Sequence, residues 1–452
     1  MRRTWILLAI MSFAACSLYG AEPMKLTDPK DHQVEQAFLG YVEKVPEWTT
    51  AANCKSMAAE KPEGYCWVML RYLHMPLTAY RFTGDTRYLD MFVEAFARMR
   101  AAMTEGADGY LGWYGKPLPL FRNPDEPDVK VDVIISSFRA VMVLSEFAEL
   151  VDRDPVLAHK YARQRAEYLR LCEDHLVKKW DARGNYMDLG KTGAVYRTHA
   201  DLRDVKALLT QPHNKHSLIT QALLGLYRAT GKDEHMRKAI KLGTRFKHCL
   251  SLKDGHYVWN YWDYAGPWDI DPEDRTKWKH WIGPEHKSTY YRLSVSMAVA
   301  LYHHGVVFDR QDIDRFLKTQ LEVTWNGDPE NPQWFKVDGQ QPWNQESPYM
   351  AEALAPFEPK LERFVYFGRG RDARIENTAN AWQGGVGADA WLVGKFRKLP
   401  RAKGGRQMYL EAGNRFREKE ENRRFLDSLQ FSVVAPGYTF SWSPTELKWN
   451  AQ

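Results

Sequence analysis

Tyr227-Arg228-Ala229-Thr230-Gly231-Lys232, followed by DEHMRKAIKLGTRFKHCL from Asp233 to Leu250, is the stretch whose reading decides the fold. It closes an apolar run, SLITQALLGL from Ser217, turns at Thr-Gly, and continues with apolar residues on one helical face only. A glycine just past a helical run is a helix stop. The same pattern stands at Tyr80-Arg81-Phe82-Thr83-Gly84-Asp85, followed by TRYLDMFVEAFARMRAAM. A weaker copy runs from Phe147 to Pro155, followed by VLAHKYARQRAEYLRLCEDHL. Each copy reads as two helices joined by a tight turn.

Working outward, the first helices of successive hairpins are expected at Glu63 to Tyr80, Val131 to Leu150, Ser217 to Arg228, Glu285 to Tyr302, Ser347 to Phe357 and Thr378 to Phe396. Their partners are expected near 86–104, 155–179, 233–250, 310–320, 358–366 and 403–428. The first helices are apolar all round and belong inside; the second are one-sided and belong outside. Six or seven such hairpins with little β structure predict an all-α fold, an (α/α) toroid. In a toroid the inner helices open on one mouth. Glu63, Tyr65, Trp67, Lys130, Asp132, His213, Asn214, His216, Asn344, Glu346, Tyr349, Asn377, Asn380 and Trp382 would then converge there with the residues around Glu285.

Composition bounds the remainder. A chain 44% hydrophobic and 13% aromatic can bury a large core, and a formal charge of +6 is mild. It carries no block of Lys or Arg resembling a nucleic-acid footprint, so no nucleic-acid partner is expected. Residues 1–21 carry Arg2 and Arg3, then an apolar core from Trp5 to Ala15, and read as a secretory signal. Phe13-Ala14-Ala15-Cys16 reads alternatively as a lipoprotein box with cleavage before Cys16, so export is to the periplasm, outer membrane or exterior. Residues 22–452 are expected to form one catalytic domain without a transmembrane span. Cys54, Cys66, Cys172 and Cys249 allow three pairings, of which Cys54 with Cys66 is local; equally, all four are buried thiols. There is no CxxC, HExxH or zinc spacing, and no metal or cofactor is expected.

The chemistry-bearing stretch is Gly283 to Arg292, GPEHKSTYYR. With Pro284 in a first helical turn, His286 and Tyr290 would share a face, and Arg292 would sit beside them. Pro212 to Gly231, opening His213-Asn214-Lys215-His216, is its counterpart. Together with the YRxTG hairpins and the aromatic loop Tyr257-Val258-Trp259-Asn260-Tyr261-Trp262, these stretches resemble secreted α/α-toroid polysaccharide lyases, notably alginate and glucuronan lyases. The resemblance covers about Glu63 to Phe396 as an architecture with scattered residues. It implies β-elimination on a 4-linked uronate polymer, alginate first and glucuronan second, without a metal.

Such a reaction must neutralise the C6 carboxylate, remove the C5 proton and protonate the leaving oxygen. Asn214, with Arg292 or a protonated histidine, would do the first. Tyr290 or Tyr291, and His216 or His286, would move the protons. Trp113, Tyr114, Tyr257, Trp259, Tyr261 and Trp262 would stack on sugar rings, with Lys116, Arg197 and His199 on flanking carboxylates. The residues allow plainer roles too: Asn214 as a helix cap, Glu285 as an acid of a first helical turn, His216 as a structural histidine. The rival reactions are glycoside hydrolysis by a carboxylate pair among Asp132, Asp263, Asp269, Glu285 and Glu346, and uronate C5 epimerisation. A non-catalytic glycan-binding protein is the rival of a different class.

Overall fold

Thr-Gly turns set the geometry from which everything else follows. At Gly84 and Gly231 the backbone is left-handed, with φ of 69° and 71°, which glycine adopts without a Cβ penalty. Their N–H groups return to Tyr80 O and Tyr227 O at 2.8 and 2.7 Å. Thr83 and Thr230 each donate to the carbonyl four residues back, Ala79 and Leu226, at 2.9 and 2.7 Å. The same hydroxyls accept from the N–H of Asp85 and Lys232. The two copies of the motif are therefore the same device at atomic detail.

The computed structural model describes residues 38–328, 331–342, 349–358 and 400–431, with Gln36, Lys360 and Leu361. Expectations for residues 1–21, for Asn344, Glu346 and Thr378 to Phe396, and for most of 358–366 fall outside the described residues. We label the main helices α1 (Ala51–Glu60), α2 (Leu70–Thr83), α3 (Arg87–Arg100), α4 (Ile134–Asp152), α5 (Ala162–Leu171), α6 (His213–Thr230), α7 (Asp233–His248), α8 (Ser288–His303), α9 (Arg310–Lys318), α10 (Pro400–Glu418) and α11 (Glu420–Asp427). A widened π turn, Tyr65–Met69, leads into α2 from Pro62. Sheet among the described residues consists of three two-stranded antiparallel ladders: β1 (Thr104–Glu105) with β2 (Leu111–Gly112), β3 (Tyr186–Asp188) with β4 (Ala194–Tyr196), and β5 (Ser251–Lys253) with β6 (His256–Val258). The protein is mostly helical with little sheet. No described helix is long and apolar enough to cross a membrane.

Helices α2, α4, α6 and α8 form an inner layer in which all run the same way. At their first turns, Ser136 donates to Pro62 O at 2.8 Å, Lys215 meets Glu63 at 3.1 Å, and Ser217 donates to Leu293 O. Towards their far ends, Arg81 of α2 holds Glu146 of α4 at 2.8 Å, and His74, one turn into α2, also reaches it at 3.2 Å. Arg228 of α6 holds Glu149 of α4 at 3.0 Å and His304, just past α8, at 3.3 Å. Both ends match like with like, so the helices are parallel neighbours. Helices α3, α5, α7 and α9 return on the outside, and Phe92 of α3 stacks on Phe147 of α4 at 4.9 Å to join the layers.

Several boundaries differ from expectation for identifiable reasons. Helix α8 starts at Ser288 because Pro284 bridges Asn260 and Glu285 N–H donates to Trp259 O at 3.1 Å, which keeps 284–287 extended. Helix α6 starts at His213, immediately after an extended Pro212. Ser347 to Phe357 contains a 3₁₀ stretch, Glu352–Phe357, in its described part. Helix α1, capped by Thr50 on Asn53 N–H at 3.2 Å, was not anticipated. Cys54, Cys66, Cys172 and Cys249 are all free thiols, so the Cys54–Cys66 pairing does not form.

Candidate functional site

The segment before α8 carries the densest chemistry near the starts of the inner helices. Because residues 284–287 run extended beside Trp259 and Asn260, Glu285 turns into the protein and is fully buried. One carboxylate oxygen accepts from His286 N–H at 3.0 Å; the other is buried with no hydrogen-bond partner. Burial pushes its pKa up to about 8, against the opposing backbone N–H groups of Lys287 and His286. Glu285 is therefore a neutral carboxylic acid at neutral pH, whereas the sequence suggested an ionised residue in a first helical turn.

His286 and Tyr290 do meet, though across the helix start and not along one face. The His286 ring lies edge-on to Tyr261 at 4.9 Å, to Trp281 at 5.2 Å and to Tyr290 at 6.0 Å. Tyr349 donates its hydroxyl to the His286 carbonyl. Burial, then the charges of Lys287 and Lys336, lowers the His286 pKa to about 4, so the imidazole is neutral. Tyr290 is half-buried and stacks on Tyr261 at 5.2 Å, with Lys287 Nζ 5.1 Å from its ring centre. Tyr291 faces the opposite way. It is fully buried, stacks on Trp259 at 5.5 Å and donates its hydroxyl to Gln320 at 3.1 Å.

Besides Lys287, the cations Lys206 and Lys215 lie near this aromatic group. Lys215, in the first turn of α6, pairs with Glu63, whose carboxyl stays below its usual value because Lys215 outweighs the effect of burial. Arg292 of α8 and Arg71 of α2 are both half-buried, and close enough that Arg292 adds to burial in lowering the Arg71 pKa. His280 lies edge-on to Tyr261 at 5.7 Å; burial, then the charges of Lys206 and Lys215, brings its pKa to about 4. Burial, Tyr290, Glu285 and Glu63 in turn raise the Tyr261 phenol far above its ordinary value. Asn214, beside Lys215, is buried with its Oδ1 unpartnered, and the cap position belongs to Pro212. Two neutral imidazoles, of which His286 is buried, a half-buried phenol and nearby lysines can bind an anion and move a proton next to it.

The other expected residues lie elsewhere or do other things. His216 is buried, and its Nε2 accepts from Tyr196 N–H at 2.9 Å, fastening β4 to α6. Burial, with His213 nearby, lowers its pKa to about 3, and its bonded nitrogen is not available for proton transfer to a ligand. Trp113, Tyr257, Trp259 and Trp262 are fully buried and offer no face to a sugar. Trp113 stacks on Tyr65 at 4.5 Å and donates to Met99 O; Trp262 donates to Thr210 O at 2.8 Å; Tyr257 donates to Asp312. Of the expected platforms, Tyr261 is in the cluster.

Tyr114 accepts from Arg183 at 2.6 Å, and Arg183 also holds Asp108. Half-buried His199 accepts from Asp201 N–H at 3.1 Å and stands near the same Arg183. Arg197 donates to Gly184 O at 2.6 Å and lies over Trp268 at 5.2 Å. Lys116 is half-buried, its N–H tied to Ala59 O at 2.9 Å. The rival acids are engaged too: Asp269 is buried and accepts from Thr210 and Ala265, and Asp263 accepts from His213 and Asn260. Asp132 pairs with buried Lys179. Compared with known proteins, the sequence matches no family model and no curated protein.

Arg71, Lys206, His280 and Trp281 were missed by the sequence reading. His280-Trp281 stands immediately before the quoted GPEHKSTYYR stretch, and extending that window would have found them. Arg71 and Lys206 carry no sequence signal; only folding brings Arg71 near Arg292 and Lys206 near His280.

Proposed function

We propose that the protein is an exported α/α-toroid polysaccharide lyase that cleaves a 4-linked uronic-acid polymer by β-elimination. The observation that carries this is the half-buried Tyr290, stacked on Tyr261 beside a neutral His286, with Lys206 and Lys215 near the adjoining His280 and Arg292 two residues further along α8. Lys215 and Arg292 bind the substrate carboxylate and stabilise the enolate-like charge that develops on it. His286, unprotonated at neutral pH, takes the C5 proton, and the Tyr290 hydroxyl delivers one to the leaving O4. Tyr261 and Trp281, the latter 48% exposed, give flat faces for neighbouring sugar rings. The parallel inner layer with returning outer helices supports the toroid, and the resemblance ranks alginate before glucuronan as substrate.

The test is ultraviolet absorbance from a 4,5-unsaturated uronate, with alginate, polyglucuronate and pectate offered separately. Tyr290→Phe is expected to lower kcat by at least about 100-fold, and Tyr291→Phe to leave it within a few-fold. New reducing ends without absorbance would point to hydrolysis, for which the buried Glu285, held protonated at neutral pH, is a candidate acid. Exchange of the C5 proton with solvent, without chain cleavage, would point to an epimerase.

A further inference from the structure

His213, Cys249 and Asp263 come from three separate elements: the first turn of α6, the end of α7 and the loop after β6. Their ligand atoms all lie within 4.8 Å of one another. We propose that they bind a single transition-metal ion of the zinc class. Imidazole, thiolate and carboxylate together are a donor set that suits zinc and disfavours calcium or magnesium, and three protein ligands leave a position for water or a further oxygen.

The surroundings fit a bound cation. Asn260 donates to Asp263 Oδ1 at 2.7 Å, which orients the carboxylate while its Oδ2 faces His213 Nε2 at 2.9 Å. Asn260 Oδ1 and His213 Nδ1 are both buried without a hydrogen-bond partner, so polar capacity is left over at the cluster. Phe246 packs against the His213 ring at 5.2 Å and shields one side. On binding, the metal replaces the Cys249 thiol proton, which is released to solvent, while the His213 proton moves from Nε2 to Nδ1 so that the neutral imidazole ligates through Nε2; thiolate and carboxylate are then two anionic ligands that balance the charge of the ion. The ion would join the start of α6, which carries Asn214 and Lys215, to the loop carrying Tyr261, whose carbonyl accepts from His213 N–H at 3.2 Å. Its role is positioning, and it does not depend on which reaction the mouth performs.

The experiment uses the full chain, stripped with chelator and titrated with Zn²⁺ and, separately, Co²⁺. One equivalent is expected to bind, with a thiolate-to-cobalt charge-transfer band and a rise in thermal midpoint. Cys249→Ser should abolish the band, and Cys249→Ser and His213→Gln should each weaken binding by more than about 100-fold. Circular dichroism of each variant establishes that it is folded; Asp263→Asn, which keeps the shape of the carboxylate, serves where another variant is not. Absence of stoichiometric binding, or a cobalt spectrum unchanged by Cys249→Ser, would overturn the site and leave the three residues a hydrogen-bonded cluster. Either result stands apart from the lyase assay, because its readouts are spectroscopic and calorimetric.

Discussion

Glu285 shows how one side chain's surroundings decide its chemistry. An unfolded glutamate releases its proton near pH 4.3, whereas the folded protein holds it to about pH 8. Between those values the folded state binds more protons than the unfolded one, so this residue makes stability fall as pH rises. The slope is up to about 1.4 kcal/mol per pH unit. Glu285→Gln keeps the shape and the neutral charge. Urea unfolding at pH 5, 6.5 and 8 should therefore show wild type losing stability relative to the variant as pH rises, and a constant difference would refute the buried acid. The sequence could not disclose this, because Pro284 signals a helical first turn and only pairing with Asn260 keeps Glu285 extended and turned inward. Nor could it separate Tyr290 from Tyr291: adjacent residues on a helix face different ways, and which way is inward depends on where α8 packs.

Elements were more legible than residues. The YRxTG hairpins were readable because their signals are local: a glycine that takes positive φ, a threonine that bonds back, an apolar period that changes at the turn. What the motif's arginines do was not readable, since their partners lie on another helix. Arg81 and Arg228 both reach acids of α4, Glu146 and Glu149, and clamp the inner helices at their ends. Burial works against the ionised Glu149, but Arg228 and then Arg153 outweigh it and hold its pKa down at about 2. Its contribution is present above the ordinary glutamate value and is lost as pH falls from about 4.5 towards 2. Arg228→Met would leave a buried charge short of its main partner and should cost about 3 kcal/mol, read as a lower urea midpoint at pH 7. An unchanged midpoint would mean that Arg153 suffices.

At the scale of the molecule, folding brings Lys206 and Lys215 together near His280, and Arg71 near Arg292, although the chain's formal charge is only +6. Composition understates such a site because charge is concentrated by folding, not by sequence runs. If the substrate is a polyanion, KM for the uronate polymer should rise several-fold between 50 and 500 mM salt, roughly the range over which the screening length falls from ~14 to ~4 Å. A salt-independent KM would argue for a neutral glycan. The parallel order of the inner helices adds to this. Their peptide dipoles point the same way, so the partial positive charges at the starts of α2, α4, α6 and α8 sum at one face. At roughly half an elementary charge each, the backbone alone gives that face about two charges' worth of pull. Mutating Lys215 or Arg292 cannot remove it, and a variant stripped of both would still draw an anionic chain to that end of the molecule first.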